Sequence, residues 1–89
     1  MRKIYRTFDL PVITGRGKSY YGKARVEEYD NGDRDLVSYA TTVCRIHNGK
    51  LQKLWDGYSA TTMRHINSFI DLYGVDGGGK SWWENLKML

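Results

Sequence analysis

Two Asn-Gly pairs, Asn31-Gly32 and Asn48-Gly49, constrain this chain more than any other feature. Asn-Gly supplies the positive-φ conformers that a primed hairpin turn requires. The runs around both pairs are rich in Val, Ile, Thr and Tyr, which suit a pleated, half-buried surface. Tyr20 to Tyr29 reads as a strand, with Ala24 and Val26 on one side and Lys23, Arg25 and Glu27 on the other. Asp35 to His47 reads as the longest strand, and Lys50 to Trp55 returns as a third. Strands joined by tight turns run antiparallel in chain order, as a meander. Within the long run, Leu36, Ala40, Cys44 and Ile46 share one parity, and Val37, Tyr39, Val43, Arg45 and His47 the other. Neither set is cleanly polar, so either both faces are covered or a bulge switches them. Lys3 to Phe8 offers a fourth strand, and Pro11 to Thr14 a short extended piece.

A helix follows the strands. Ser59 is placed to cap it, and Tyr58 before it to staple onto Met63. Met63, Ile66, Phe69, Ile70 and Tyr73 form one apolar stripe, with Thr61, Arg64, Ser68 and Asp71 opposite. Gly74 ends the helix, and Val75 to Lys80 is a loop. Ser81-Trp82-Trp83-Glu84 has the form of a capping box opening a last helical segment that ends near Lys87. The predicted fold is therefore α+β: an antiparallel β-meander of three to four strands packed on one amphipathic helix, plus a short C-terminal helix. At 89 residues the chain holds one core, so residues 1–89 are expected to form a single domain.

Composition narrows the setting. The single cysteine, Cys44, excludes an internal disulfide framework, and a reducing, cytoplasmic compartment is expected. No apolar run approaches the ~20 residues of a membrane helix, and the MRKIYRTFDL start lacks the apolar core of a signal peptide. The net charge of +4 is unevenly spread. Residues 1–25 carry seven bases against Asp9 alone, for +6, while residues 26–35 carry five acids against Arg34, for −4.

Several motifs invite chemistry. Gly74-Val-Asp-Gly-Gly-Gly79-Lys80-Ser81 fits the phosphate-loop pattern letter for letter. That loop must leave a parallel strand and open a long helix, whereas this one leaves a helix near the end of the chain. The better reading is a helix stop, a loop and a capping serine. Cys44 and His47 are three apart on one strand and face opposite sides, so no shared metal is expected. The reading for Cys44, His47 and His65 is a buried thiol and two surface histidines. Glu27, Glu28, Asp30, Asp33 and Asp35 lack EF-hand spacing and read as a solvated hairpin tip. No catalytic constellation, metal site or cofactor is expected, and the chain is not read as an enzyme.

Bases and aromatics interleave in the basic segment. Tyr20 and Tyr21 sit between Lys18 and Lys23, the pattern of a surface that tracks phosphates and stacks on bases. Protein-binding hot spots use the same residue types. A meander backed by one helix is also the plan of the DNA-binding domains on integrase arms and in plant transcription factors, which read the major groove with the sheet.

Longer segments carry a resemblance. Tyr5-Arg-Thr-Phe-Asp-Leu-Pro-Val-Ile-Thr-Gly15, Glu28-Tyr-Asp-Asn-Gly32, Val43-Cys-Arg-Ile and Leu54-Trp-Asp-Gly-Tyr-Ser-Ala-Thr-Thr-Met-Arg-His-Ile-Asn-Ser-Phe69, with Lys80 and Trp83-Glu84, span nearly the whole chain. In these segments the chain resembles short uncharacterised proteins of plasmids, integrative elements and phages of low-GC Gram-positive bacteria. The resemblance implies a cytosolic accessory protein of a mobile element; such proteins are typically DNA-binding regulators or inhibitors of host defence, as anti-CRISPR proteins are.

Two readings of function follow. In the first, the chain binds nucleic acid or a nucleoprotein complex through Arg16, Lys18, Lys23 and Arg25 on phosphates, with Tyr20 or Tyr21 stacking. In the second, it inhibits a host nuclease, with Glu27, Glu28, Asp30, Asp33 and Asp35 mimicking phosphate on a protein partner. Neither reading expects a membrane or a small-molecule substrate.

Overall fold

The structure, a computed structural model, describes residues 3–11 and 23–88. Five strands, β1 (Ile4–Asp9), β2 (Ala24–Tyr29), β3 (Arg34–Ser38), β4 (Thr41–His47) and β5 (Lys50–Lys53), form one antiparallel sheet in chain order. Helix α1 (Ala60–Tyr73) and the short α2 (Lys80–Asn85) follow. The fold is α+β, as predicted, but the strand count is five rather than three to four. Pro11 is the last described residue of its predicted extended piece; residues 12–14 lie outside the described residues.

The extra strand comes from a reversal inside Asp35 to His47. Ser38 pairs with Thr41, so the chain turns through Tyr39 and Ala40. Tyr39 adopts φ +56°, a left-handed conformation that bulky residues rarely take. Its amide donates to the Lys23 carbonyl at 2.6 Å, which ties the turn to the start of β2. Beyond the turn, Leu36 pairs with Cys44 but Val37 with Thr42, so Val43 is one extra residue on β4. This bulge explains the mixed parity: it lets Val43 and Cys44 both join the core.

The two Asn-Gly turns close differently. At Asn48-Gly49 both residues have positive φ, +52° and +76°, as a primed turn needs. At Asp30–Gly32 only Gly32 is left-handed, at +93°. There the Gly32 amide donates to Tyr29 and the Asp33 amide to the Asn31 side chain, giving a three-residue loop ending in a glycine bulge.

One face of the sheet carries the core. Ala24, Val26, Leu36, Cys44 and Ile46 pack with Met63, Ile66, Phe69 and Ile70 of α1. Ser59 caps α1 by accepting the Thr62 amide at 3.0 Å, and Gly74 closes it at φ +68°. The polar side of α1 is less polar than its sequence implies. Ser68 is fully buried, and so is His65, which pairs with the Ser38 hydroxyl through Nδ1 at 2.9 Å. The N-cap of α2 is Gly79, not Ser81, and no side chain caps the helix. It is held from its other end. The buried Lys53 ammonium donates to the Trp83 and Leu86 carbonyls at 2.8 and 3.4 Å, and the Trp83 indole N–H donates to the Gly57 carbonyl at 2.8 Å. Among the described residues no helix is long and apolar enough to cross a membrane.

Trp83 is thus the plug that joins α2 to the sheet. Trp83→Ala is expected to cost about 3–5 kcal/mol in urea unfolding, a large share of what a domain this size possesses. Trp82→Ala, at a half-buried position, is expected to cost less than half of that.

Candidate nucleic-acid interface

The predicted basic surface starts where β2 starts. Lys23 is exposed at its entrance and the Arg25 side chain is half exposed, with its Nε 3.3 Å from Glu27. The Tyr39 turn lies beside them, tied to the Lys23 carbonyl. The Tyr39 side chain is 55% exposed, and its ring is tilted against His65 at 6.0 Å. Asp9, Lys23, Ala24, Arg25 and Tyr39 line a shallow cleft of about 70 Å³. Burial, and then the charge of Lys23, push the His65 pKa below the ordinary histidine value, so the imidazole behind Tyr39 favours its neutral form. Arg16, Lys18, Tyr20 and Tyr21 lie outside the described residues. Tyr39 had no place in the sequence-derived site. No glycine, asparagine or proline marks its turn, and the broken parity was the only signal.

The acidic residues do not form a solvated tip. They divide between the two faces of the sheet, and most are buried. Glu28, on the core face, takes the Tyr73 hydroxyl at 2.6 Å, the Tyr5 hydroxyl at 3.1 Å and Arg6 Nε at 2.9 Å, with Arg34 Nε at 3.6 Å. Asp35, on the other face, takes Arg45 through two hydrogen bonds of 2.8 and 3.2 Å. Asp33 pairs with His47 Nδ1 at 2.5 Å, and Glu27 accepts from Arg25 at 3.3 Å and from the Tyr29 hydroxyl at 3.4 Å. Only Asp30 is exposed at the tip, where it accepts the Lys3 amide at 3.1 Å. The side chains of Glu28, Asp33 and Asp35 are 6%, 6% and 3% exposed, so their charge is largely committed inside the fold.

The bases on these carboxylates remain partly outward. The Arg6 and Arg34 side chains are 59% and 40% exposed, with their guanidinium groups over the rings of Phe8 and Tyr73. Cys44 is fully buried, and burial followed by the charge of Asp35 pushes its thiol far up, so it is inert. Among the described residues no group of His, Cys, Asp or Glu could hold a metal ion.

A profile for a family of unknown function, DUF8033, matches residues 8–85. The chain belongs to that family. The DUF8033 match runs from Phe8 in β1 to the last residue of α2 and takes in Lys23, Arg25, Tyr39 and the whole acidic hairpin. No curated protein and no solved structure matches the chain.

The Glu28 cluster gives a pH signature within this DUF8033 fold. Burial raises the Glu28 pKa, but hydrogen bonds from Tyr73, Tyr5 and Arg6, with the Arg6 charge, outweigh it and hold the carboxyl below the ordinary glutamate value. The unfolded chain therefore takes up this proton first. The stabilisation is present above about pH 4.5 and is lost as pH falls through the folded-state pKa. In urea unfolding, Glu28→Gln is expected to be less stable than wild type at pH 7, with the difference shrinking towards pH 3. An unchanged difference at both pH values would mean that Glu28 acts by shape alone.

Proposed function

We propose that this chain is a non-enzymatic accessory protein that binds nucleic acid, free or in a nucleoprotein complex, through the end of the sheet bearing Lys23, Arg25 and Tyr39. The observation that carries this reading is the Tyr39 turn. A large aromatic is held at positive φ and more than half exposed beside two cations. Backbone strain at an exposed aromatic does nothing for stability, and strain of this kind concentrates at ligand-contacting sites. A ring beside phosphate-reaching cations is the arrangement of a stacking platform. The sequence just before Lys23 supplies Arg16, Lys18, Tyr20 and Tyr21 to the same reading.

The acidic hairpin supports the phosphate-mimic reading less well. Four of its five carboxylates meet intramolecular bases or hydroxyls. The face of the sheet opposite the core also suits groove reading poorly, since Glu27 and Asp35 lie on it. The resemblance to short proteins of plasmids, integrative elements and phages supports a cytoplasmic setting in which the ligand is the element's own or the host's nucleic acid.

Fluorescence anisotropy with a duplex and a single-stranded oligonucleotide tests this. Affinity is expected to fall steeply between about 50 and 200 mM salt, and Lys23→Ala to lower the salt slope by about one. Tyr39→Gly is expected to keep or raise the melting temperature while weakening single-strand binding by about 1–3 kcal/mol, the worth of one stacked base. Absence of binding to either oligonucleotide at about 50 mM salt would overturn the reading.

A further inference from the structure

The sheet ends differently on its two sides. β5 already has chain beside it, since Lys53 bridges Met88 in parallel. β1 is the other outer strand, and none of the described residues pairs with its outer side. It is exposed from Ile4 to Thr7 and again at Asp9, and the large side chains of Ile4 and Tyr5 stand 48% and 66% in solvent. An exposed edge offers a row of unpaired N–H and C=O groups, which proteins commonly blunt with charges. Here the one base of the strand, Arg6, is already committed to Glu28 at 2.9 Å.

The backbone shows which groups of β1 are free. Hydrogen-bonded and non-bonded pairs alternate along an antiparallel ladder. The Leu10 amide donates to the Ala24 carbonyl at 3.1 Å. Phe8, opposite Val26, and Arg6, opposite Glu28, therefore also turn their N–H and C=O groups towards β2. Thr7 and Asp9, opposite Glu27 and Arg25, turn theirs outwards. The other side of β2 has the matching phase. The Tyr39 amide donates to Lys23 and the Tyr29 amide to Asp33, so the odd-numbered residues of β2 face β3 and the even-numbered ones face β1.

We propose that β1 pairs antiparallel with β1 of a second copy of this chain, with Thr7 opposite Thr7 on a two-fold axis. Outward groups must meet outward groups, which leaves few registers. Thr7 opposite the second copy's Thr7 meets this condition and runs the contact from Tyr5 to Asp9. It sets Arg6 opposite the second copy's Phe8 and Tyr5 opposite its Asp9, so no like charges face each other. The Arg6 guanidinium, already 4.6 Å from its own Phe8 ring, gains a second ring on the same face. Shifting the copies so that Tyr5 meets Thr7 sets Arg6 against Arg6, and Asp9 opposite Asp9 sets carboxylate against carboxylate. Phe8 opposite Phe8 avoids like charges, but it leaves the exposed Tyr5 outside the contact and sets Arg6 against the buried Leu10. The irregularity of β1 between Ile4 and Arg6 ends the contact beyond Tyr5. The two-fold axis stands perpendicular to the sheet, so the α1 helices of both copies lie on one face of a continuous, doubled sheet. This pairing goes beyond the proposed function and uses none of Lys23, Arg25 and Tyr39.

Sedimentation velocity of the full chain between about 10 μM and about 1 mM tests this. The contact is small against a standard interface, so association is expected to be weak, with a dissociation constant on the order of 0.1 mM. The mass is expected to rise from 10.3 kDa towards twice that value. Over the same range, amide hydrogen exchange is expected to slow at Thr7 and Asp9, whose N–H groups point outwards, and to stay unchanged at Arg6 and Phe8. Thr7→Pro removes an outward N–H and spares the ladder to β2, so it is expected to weaken association about tenfold while the melting temperature is kept. Thr7→Lys leaves the backbone intact, sets like charges opposite each other and is expected to weaken association as well. Should Thr7→Pro unfold, Thr7→Lys decides alone. A wild-type chain that stays monomeric at the highest concentration, protection gained at β5 rather than at Thr7 and Asp9, unchanged association in a folded Thr7→Pro, or association kept or strengthened in Thr7→Lys would each overturn the proposal.

Discussion

The Glu28 carboxylate is the contact on which the rest of the arrangement depends. It sits on β2 and receives groups from three other elements: Tyr5 and Arg6 of β1, Arg34 of β3 and Tyr73 at the end of α1. Arg6, Glu28 and Arg34 are also direct cross-strand partners, so the cluster fixes the register of three strands at once. A carboxylate this buried is tolerated only because hydrogen-bond donors surround it. The tyrosines bring donors and apolar rings together, which lets the cluster close one end of the core. Lys53 plays the complementary role at the other side of the sheet, where a buried ammonium ends α2 and holds Trp83 in place.

This internal pairing determines what the molecule shows to a partner. Read along the chain, the +6 and −4 segments resemble two competing surfaces. In three dimensions they are not equivalent. The acids turn towards bases and hydroxyls within the sheet, while Lys23, Arg25, Arg6 and Arg34 keep a large part of their side chains in solvent. Within these two segments the exposed charge is therefore mainly positive, and the part of it carried by Lys23 and Arg25 lies beside the exposed ring of Tyr39.

Much of the fold was legible in the residues because local chemistry determined it. Asn48-Gly49 needed no tertiary context to form a primed turn, and Ser59 and Gly74 bound α1 for reasons contained in their own side chains. The Tyr39-Ala40 reversal was illegible because neither residue favours a turn; tertiary pairing overrides propensity there. The Val43 bulge left a trace, a strand with no polar parity, but that trace did not separate a bulge from a doubly covered strand. Burial of His65, Asp33 and Asp35 was hidden for a related reason: each is polar by type and is buried where a partner from another element meets it. Of the predicted basic and aromatic site, Lys23 and Arg25 are where the alternation put them, whereas Tyr39 entered only once the chain was folded.

The central claim is that Glu28, Asp33 and Asp35 are turned inward while the basic end with Tyr39 is turned outward, where we propose that it meets nucleic acid. Backbone amide NMR of the labelled chain with a short single-stranded oligonucleotide at low salt addresses it most directly. The account predicts shifts concentrated at Lys23, Arg25 and Tyr39, with the Asp30–Gly32 tip unmoved. Shifts centred on that tip, or none at the Tyr39 end, would contradict it.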